Sequence, residues 1–205
     1  MASTSSVAPT ITSTISTPGP SGPWPRHPPE AVFLMPVACL ARVGELLPPV
    51  RVIGTRGDDP LTVKGVHITP IPAVHDTWNP TDGHPCQGYI VRMNRVTLCH
   101  TGDTVMYDGL VERLRDHQVD VLLAPINGRD YFRTRRDVIG NFSAREAADL
   151  AAAAGVRLLI PTHWDLFPGN AENPGHLFEY LARQHPEQPC HYMARGERFV
   201  YFPCR

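Results

Sequence analysis

Two apolar runs constrain this chain more than any other feature. VDVLLAPI (Val119–Ile126) and VRLLIP (Val156–Pro161) are nearly continuous in hydrophobic residues. Runs of that length and composition suit strands covered on both faces. Between them, Ser143-Ala144-Arg145-Glu146 has the S-x-x-E form of a capping box, and it opens the helical stretch AREAADLAAAAG, which ends at Gly155. A helix between two buried strands is the mark of a sheet with helical crossovers.

Upstream the pattern differs. Short strands are predicted at AVFLMP (Ala31–Pro36, a buried strand), RVIG (Arg51–Gly54), LTV (Leu61–Val63), VHITPI (Val66–Ile71), GYIVRM (Gly88–Met93) and VTLCH (Val96–His100). Asn94–Arg95 joins the last two at a length that fits a tight hairpin. Val37–Leu47 reads as a helix stopped by Pro48–Pro49, and Tyr107–His117 and Asn173–Gln184 as two more. HYMARGERFVYF (His191–Phe202) reads as a closing hairpin. Hairpins followed by alternating helices and strands predict a mixed sheet covered by helices, an α/β (α+β) domain over residues 30–205. Residues 1–29 are rich in Ser, Thr and Pro with few large apolar groups, which predicts a disordered segment.

A net charge of −1 gives no electrostatic footprint for nucleic acid or a membrane surface. No apolar run approaches the roughly 20 residues of a transmembrane helix. The five cysteines are scattered without CxxC spacing, so they read as reduced thiols of a cytoplasmic protein.

Three groups of chemistry-bearing residues fall where predicted strands end, the place where open α/β sheets hold their ligands. They are PAVHD with His75, HTGDT with Asp103, and PTHWD with His163. Taken singly, each has an ordinary structural role open to it: a hydrogen-bonded histidine, an aspartate capping the next helix, a strand terminus. Together, two imidazoles and a carboxylate suit a divalent metal such as zinc or manganese.

The runs ITPIPAVHD, GYIV followed by TLCHTGDT, LLAPINGRD, GNFSAREAADLA and LLIPTHWDLF stand in one order along the chain. In that order they resemble the L-ascorbate-6-phosphate lactonase-like branch of the metallo-β-lactamase superfamily, from Ala31 to Phe202. The resemblance implies the C-terminal part of an αββα sandwich and a two-metal cleft at its edge. It implies His75 and His163 as ligands of separate metals, and Asp103 as the carboxylate shared between them. It further implies a metal-bound water that attacks a lactone or ester carbonyl, with Asp103 at the catalytic centre. Asn127 and Arg129 resemble the loop near the substrate pocket, where Arg129 would meet an anionic group, and His84 is a further pocket candidate. The expected partner is a small anionic substrate.

One departure matters. The HxHxDH motif that supplies two ligands to each metal is absent, and His27 is the sole histidine before His67. Three readings stay open. One is a truncated fragment of a metal-dependent hydrolase. Another is a non-catalytic binding or regulatory module, as a homo-oligomer or with a partner over the exposed sheet. The third is a metal-free enzyme with Asp103 and His163 as an acid–base pair.

Overall fold

The computed structural model describes residues 31–43, 51–75, 84–136, 138 and 140–203. The expectation for residues 1–29 lies outside that set, as do Cys204 and the second half of the stretch Val37–Leu47.

The parallel and antiparallel halves of the main sheet meet at one strand. β3 (Leu61–Val63), β4 (Val66–Pro72), β5 (Gln87–Met93), β6 (Val96–His100), β7 (Val121–Pro125) and β8 (Leu158–Thr162) pair in sequence order as a six-stranded sheet. β3 to β6 run antiparallel, while β6, β7 and β8 run parallel. The switch follows from the connections. Asn94 and Arg95 carry φ of 50° and 66°, the left-handed pair of a two-residue hairpin turn. The β6–β7 and β7–β8 connections instead carry α2 (Leu110–Asp116) and α4 (Ala144–Ala154), as parallel pairing requires.

α4 forms where the capping box predicts. The Ser143 hydroxyl accepts from the Glu146 amide, the Glu146 carboxylate accepts from the Ser143 amide, and Gly155 ends the helix at φ 68°. Its buried face is mostly alanine (Ala147, Ala148, Ala151, Ala154) with Leu150. That face packs with α2 and with α5 (Pro174–Gln184) over Cys99, Leu122 and Leu159 of the sheet. Phe142, just before the helix, is wholly buried in the same cluster.

The other face of the parallel strands is thinner. Val121, Leu158 and Ile160 are buried there, with Leu98, Leu123, Met193, Phe199 and Tyr201 partly covered. Alternation along β7 therefore sends Leu122 and Ala124 to the helices and Leu123 to this second face. β1 (Val32–Pro36) and β2 (Arg51–Thr55) form a separate parallel pair. A buried polar knot joins β2 to β5: the Thr55 hydroxyl donates to Gln87 Oε1 at 2.6 Å, and Gln87 Nε2 donates to the Thr55 carbonyl at 3.2 Å.

Several expectations need correction. AVFLMP is a strand, but Val32–Met35 are half-exposed, because β1 pairs only with β2. The stretch from Val37 divides into a 3₁₀ turn (Val37–Cys39) and a short α1 (Leu40–Val43). α2 starts at Leu110 and not at Tyr107, since Gly109 at φ 91° is not helical. A short helix, α3 (Tyr131–Thr134), was not anticipated. The closing hairpin keeps its turn, with the Glu197 amide donating to the Ala194 carbonyl, but forms no ladder. Among the described residues, no helix is long and apolar enough to cross a membrane.

Ser143→Ala is expected to cost about 1 kcal/mol and to lower the thermal midpoint by about 2–4 °C. Burial works to raise the Glu146 carboxyl, but hydrogen bonds from Arg129 and Ser143 outweigh it and hold the group below its usual value. A lowered carboxylate contributes stability above the unfolded value, about 4.3, and loses it as pH falls through the folded value. Glu146→Gln should therefore flatten the fall in thermal midpoint on acidification below about pH 4.5; an unchanged slope would count against this role.

Candidate functional site

The site is built at the carboxyl ends of β4, β6 and β8, where three turns are held together by backbone hydrogen bonds. After β6 the chain turns sharply against β5. A Cβ on Gly102 would stand 2.6 Å from the Gln87 carbonyl oxygen, and one on Gly88 would stand 2.5 Å from that of Thr101. Only glycine fits at both positions, which explains the Gly of HTGDT. His100 supports the same turn, its Nδ1 accepting from the Gly102 amide at 3.0 Å. Burial lowers the His100 pKa, with Asp103 acting the other way, in keeping with an imidazole that accepts at Nδ1.

Thr104 laces this turn to the one after β4. Its hydroxyl accepts from the Val74 amide at 2.9 Å, and the Val105 amide donates to the Val74 carbonyl at 3.0 Å. His75 thus follows directly on a backbone contact with the residues after Asp103, and it is half-buried.

His163 closes the site from β8. Its Nε2 stands 3.6 Å from Asp103 Oδ2, with the imidazole 16% exposed and the carboxylate 43%. The backbone of His163 is left-handed at φ 54°, a conformation a non-glycine residue adopts at a cost of about 1–3 kcal/mol. Its Nδ1 is buried without a hydrogen-bond partner. Backbone strain and an unpartnered polar atom on one residue make His163 a candidate for function.

Behind Asp103 lies a buried amide network. Asn141 Nδ2 donates to Asn127 Oδ1 at 2.9 Å and reaches Asp103 Oδ1 at 3.4 Å. Facing two acceptors, the Asn141 amide must present its nitrogen, which leaves its own Oδ1 buried and unpaired. Asn127 Nδ2 donates to Asn170 Oδ1 at 3.0 Å, and Arg133 donates to both the Asn127 carbonyl and Asn170 Oδ1. Asn127 and Asn141 are fully buried.

The structure therefore brings together Asp103, His163 and Asn127, and it ties Val74, the residue before His75, to the Asp103 turn. Arg129 is engaged elsewhere. Its guanidinium donates to both Glu146 oxygens, at 2.8 and 2.6 Å, and to the Asn141 carbonyl at 3.0 Å. His84 lies over Gly57, whose Cβ would meet its ring at 2.6 Å. Asn141, Asn170, Arg133 and Thr104 take part without having been singled out in the sequence; isolated amides and hydroxyls carry no spacing signal.

Two donors about 2.1 Å from a tetrahedral ion lie ~3.4 Å apart, so the separation of Asp103 Oδ2 and His163 Nε2 suits a shared cation. It is longer than the roughly 2.6–3.2 Å of a direct proton-transfer contact. The donor count falls short of a complete centre. Among the described residues, no group of three His, Cys, Asp or Glu side chains could hold a metal ion.

A helix-backed mixed sheet whose carboxylate and imidazole meet beyond the strand ends defines an α/β protein with a candidate ligand site on that edge. The chain belongs to the beta-lactamase superfamily, whose domain profile matches residues 31–164. It is similar to a UPF0173 metal-dependent hydrolase from Thermococcus kodakarensis, at 34% identity over 119 residues, covering 56% of this chain and 48% of the relative. A relative with the same description from Methanoculleus marisnigri is 29% identical, covering 55% and 48%. The chain spans about half the length of these curated relatives. Igni18, a metallo hydrolase from Ignicoccus hospitalis, shares the fold at a TM-score of 0.67 and 18% identity, covering 84% of this chain and 70% of that one. The metallo-beta-lactamase fold protein YhfI from Bacillus subtilis does so at 0.61 and 19%, covering 79% and 61%.

Asn127→Ala would strip the buried Asn141 amide of its 2.9 Å partner and leave Asn170 Oδ1 to Arg133 alone. It is expected to cost about 1–3 kcal/mol in urea unfolding. A loss below about 0.5 kcal/mol, the level of an ordinary surface change, would show that the network does not hold these loops.

Proposed function

We propose that this chain carries the Asp103 and His163 side of the metal centre of a metal-dependent hydrolase, with His75 as a further ligand. The observation that carries the reading is the meeting of Asp103 Oδ2 with the strained, half-buried His163 at the strand ends. Names of similar proteins support the activity: both curated relatives are called metal-dependent hydrolases.

A divalent cation, zinc or manganese, would supply a water of lowered pKa and a Lewis acid for a carbonyl. The chain's own residues do the rest. Asp103 presents Oδ2 to His163 Nε2 while Asn141 addresses Oδ1, so the carboxylate is steered from behind. His163 offers Nε2 from a ring the fold encloses. The Asn141–Asn127–Asn170 chain backs the carboxylate with two fully buried amides.

The substrate we favour is a lactone or ester bearing an anionic group, on the resemblance to the L-ascorbate-6-phosphate lactonase-like branch. Arg129 would serve that group only by leaving Glu146. A second reading has its own support. Few clustered donors among the described residues favour a binding or regulatory module derived from the fold. Such a module would be completed by a second copy or a partner over the half-exposed sheet face.

Metal analysis separates the two. Purified protein exposed to zinc or manganese and then desalted should retain metal, and Asp103→Ala and His163→Ala should each lose it. Hydrolysis of a lactone and ester panel should fall in both variants by roughly 100-fold or more. Wild-type protein that retains no metal and cleaves nothing would favour the module.

A further inference from the structure

The loops after β6, β7 and β8 share a feature beyond the polar residues they bring to the candidate centre. Each carries large apolar side chains that the fold leaves exposed: Met106 after Asp103, Tyr131 and Phe132 after Asn127, and Leu166 and Phe167 after His163. Exposed apolar groups scattered singly need no account. A set of them beside a few polar groups is the usual lining of a small-molecule site.

Phe167 is placed beside the chemistry. Its ring centroid lies 6.2 Å from that of His163, tilted by 54°, and the residue is 55% exposed. The imidazole next to it offers Nε2 toward Asp103. A substituent on a carbonyl held between those two residues comes within reach of this ring.

The exposure is held in place by polar anchors. On one side of Phe167, Trp164 packs on Tyr192 with centroids 5.1 Å apart, and Arg195 donates to Asp165 at 2.8 Å. On the other, the Asn170 amide donates to the Phe167 carbonyl at 3.0 Å, and Asn170 Oδ1 accepts from Asn127 and Arg133. Arg133 belongs to α3, so the same bond ties this loop to the segment of Tyr131 and Phe132, whose rings meet edge-on at 5.5 Å. Asp130 caps α3 through the Phe132 and Arg133 amides. Folding gains by burying such rings, so rings kept in water on braced segments point to a ligand. The region is not purely apolar. Arg135 and Arg136 stand exposed just beyond α3, so an aromatic contact leaves cations for an anionic group.

We propose that Phe167 sets substrate preference at this centre by receiving an aromatic ring carried by the ester or lactone. The proposal rests on the hydrolase reading of Asp103 and His163 and adds the class of the group beside the carbonyl. Offset or edge-on contact between two rings favours an aromatic substituent over a small alkyl one.

Two measurements on the full chain keep these readings apart. The first titrates the neutral fluorophore N-phenyl-1-naphthylamine into chelator-treated protein, where no metal chemistry takes part. Saturable binding is expected, and Phe167→Ala should weaken it roughly threefold to tenfold, the range of one ring–ring contact. Phe167→Tyr should restore it, and Phe202→Ala, which removes an exposed ring on the C-terminal stretch, should leave it unchanged. The second compares phenyl acetate with methyl acetate in zinc-loaded protein. Phe167→Ala should lower kcat/KM for the phenyl ester by a similar factor and spare the methyl ester. Probe binding without turnover of either ester counts against the hydrolase reading and supports the aromatic site. The proposal is overturned by undiminished probe binding in Phe167→Ala, by equal losses in Phe167→Ala and Phe202→Ala, by no rescue with tyrosine, or by no saturable binding. A loss of equal size on both esters would also overturn it.

Discussion

The close seating of α4 on the parallel strands governs much of what surrounds it. Ala147, Ala148, Ala151 and Ala154 form most of its buried face, so the helix axis can approach β7 and β8 more nearly than leucines would allow. Enlarging any of these methyl groups would overpack the cluster in which Leu122 and Leu159 are fully buried. The helix position in turn fixes its N-terminus beside the strand ends. There Ser143 and Glu146 close the first turn, and the Glu146 carboxylate extends that order outward to Arg129. Core packing and the cleft are therefore one continuous structure through Asn141 and Phe142, the two residues just before the cap.

That continuity explains why Arg129 is held where it is. Between Asn127 and Ser143 the chain leaves β7 and returns to a single antiparallel bridge. Gly128 and Gly140 press together there, for a Cβ on Gly140 would fall 2.4 Å from the Gly128 carbonyl oxygen. Glu146 raises the Arg129 pKa, and Arg129 in return lowers that of Glu146. With 44% of its side chain exposed, the pair is screened by solvent, and its value lies in orientation more than in energy. An arginine locked in this way braces the loop that carries Asn127.

Local signals in the sequence carried most of the fold and only part of the site. The capping box at Ser143, the Asn94–Arg95 turn and the order of strands were legible because each rests on neighbouring residues. His75, Asp103 and His163 were legible because strand ends are. The Arg129–Glu146 pair was not: the partners are 17 residues apart, and a bridge in the fold joins them. Asn127, Asn141 and Asn170 likewise meet through three separate turns, and amides announce no partner in advance. The C-terminal stretch misled for a physical reason. His191–Phe202 alternates like a hairpin, yet His191 stacks on Phe199 at 4.5 Å and binds Glu197 at 2.8 Å, and these contacts hold its turn without a ladder. The half-exposure of AVFLMP depended on its pairing with β2 alone, which its own composition does not encode.

Parallel strands give this molecule two unlike ends. At the carboxyl ends stand the N-terminus of α4, whose positive pole favours a carboxylate, and the turns bearing Asp103 and His163. At the other end α2 and α4 finish, and their last carbonyls would make that rim negative. Arg92 and Arg115 answer those carbonyls at His117 and Ala153. Two half-charges call for about one cation between them, and guanidiniums of the rim supply it. Arg157 is matched by Asp120, and helix ends account for about one more.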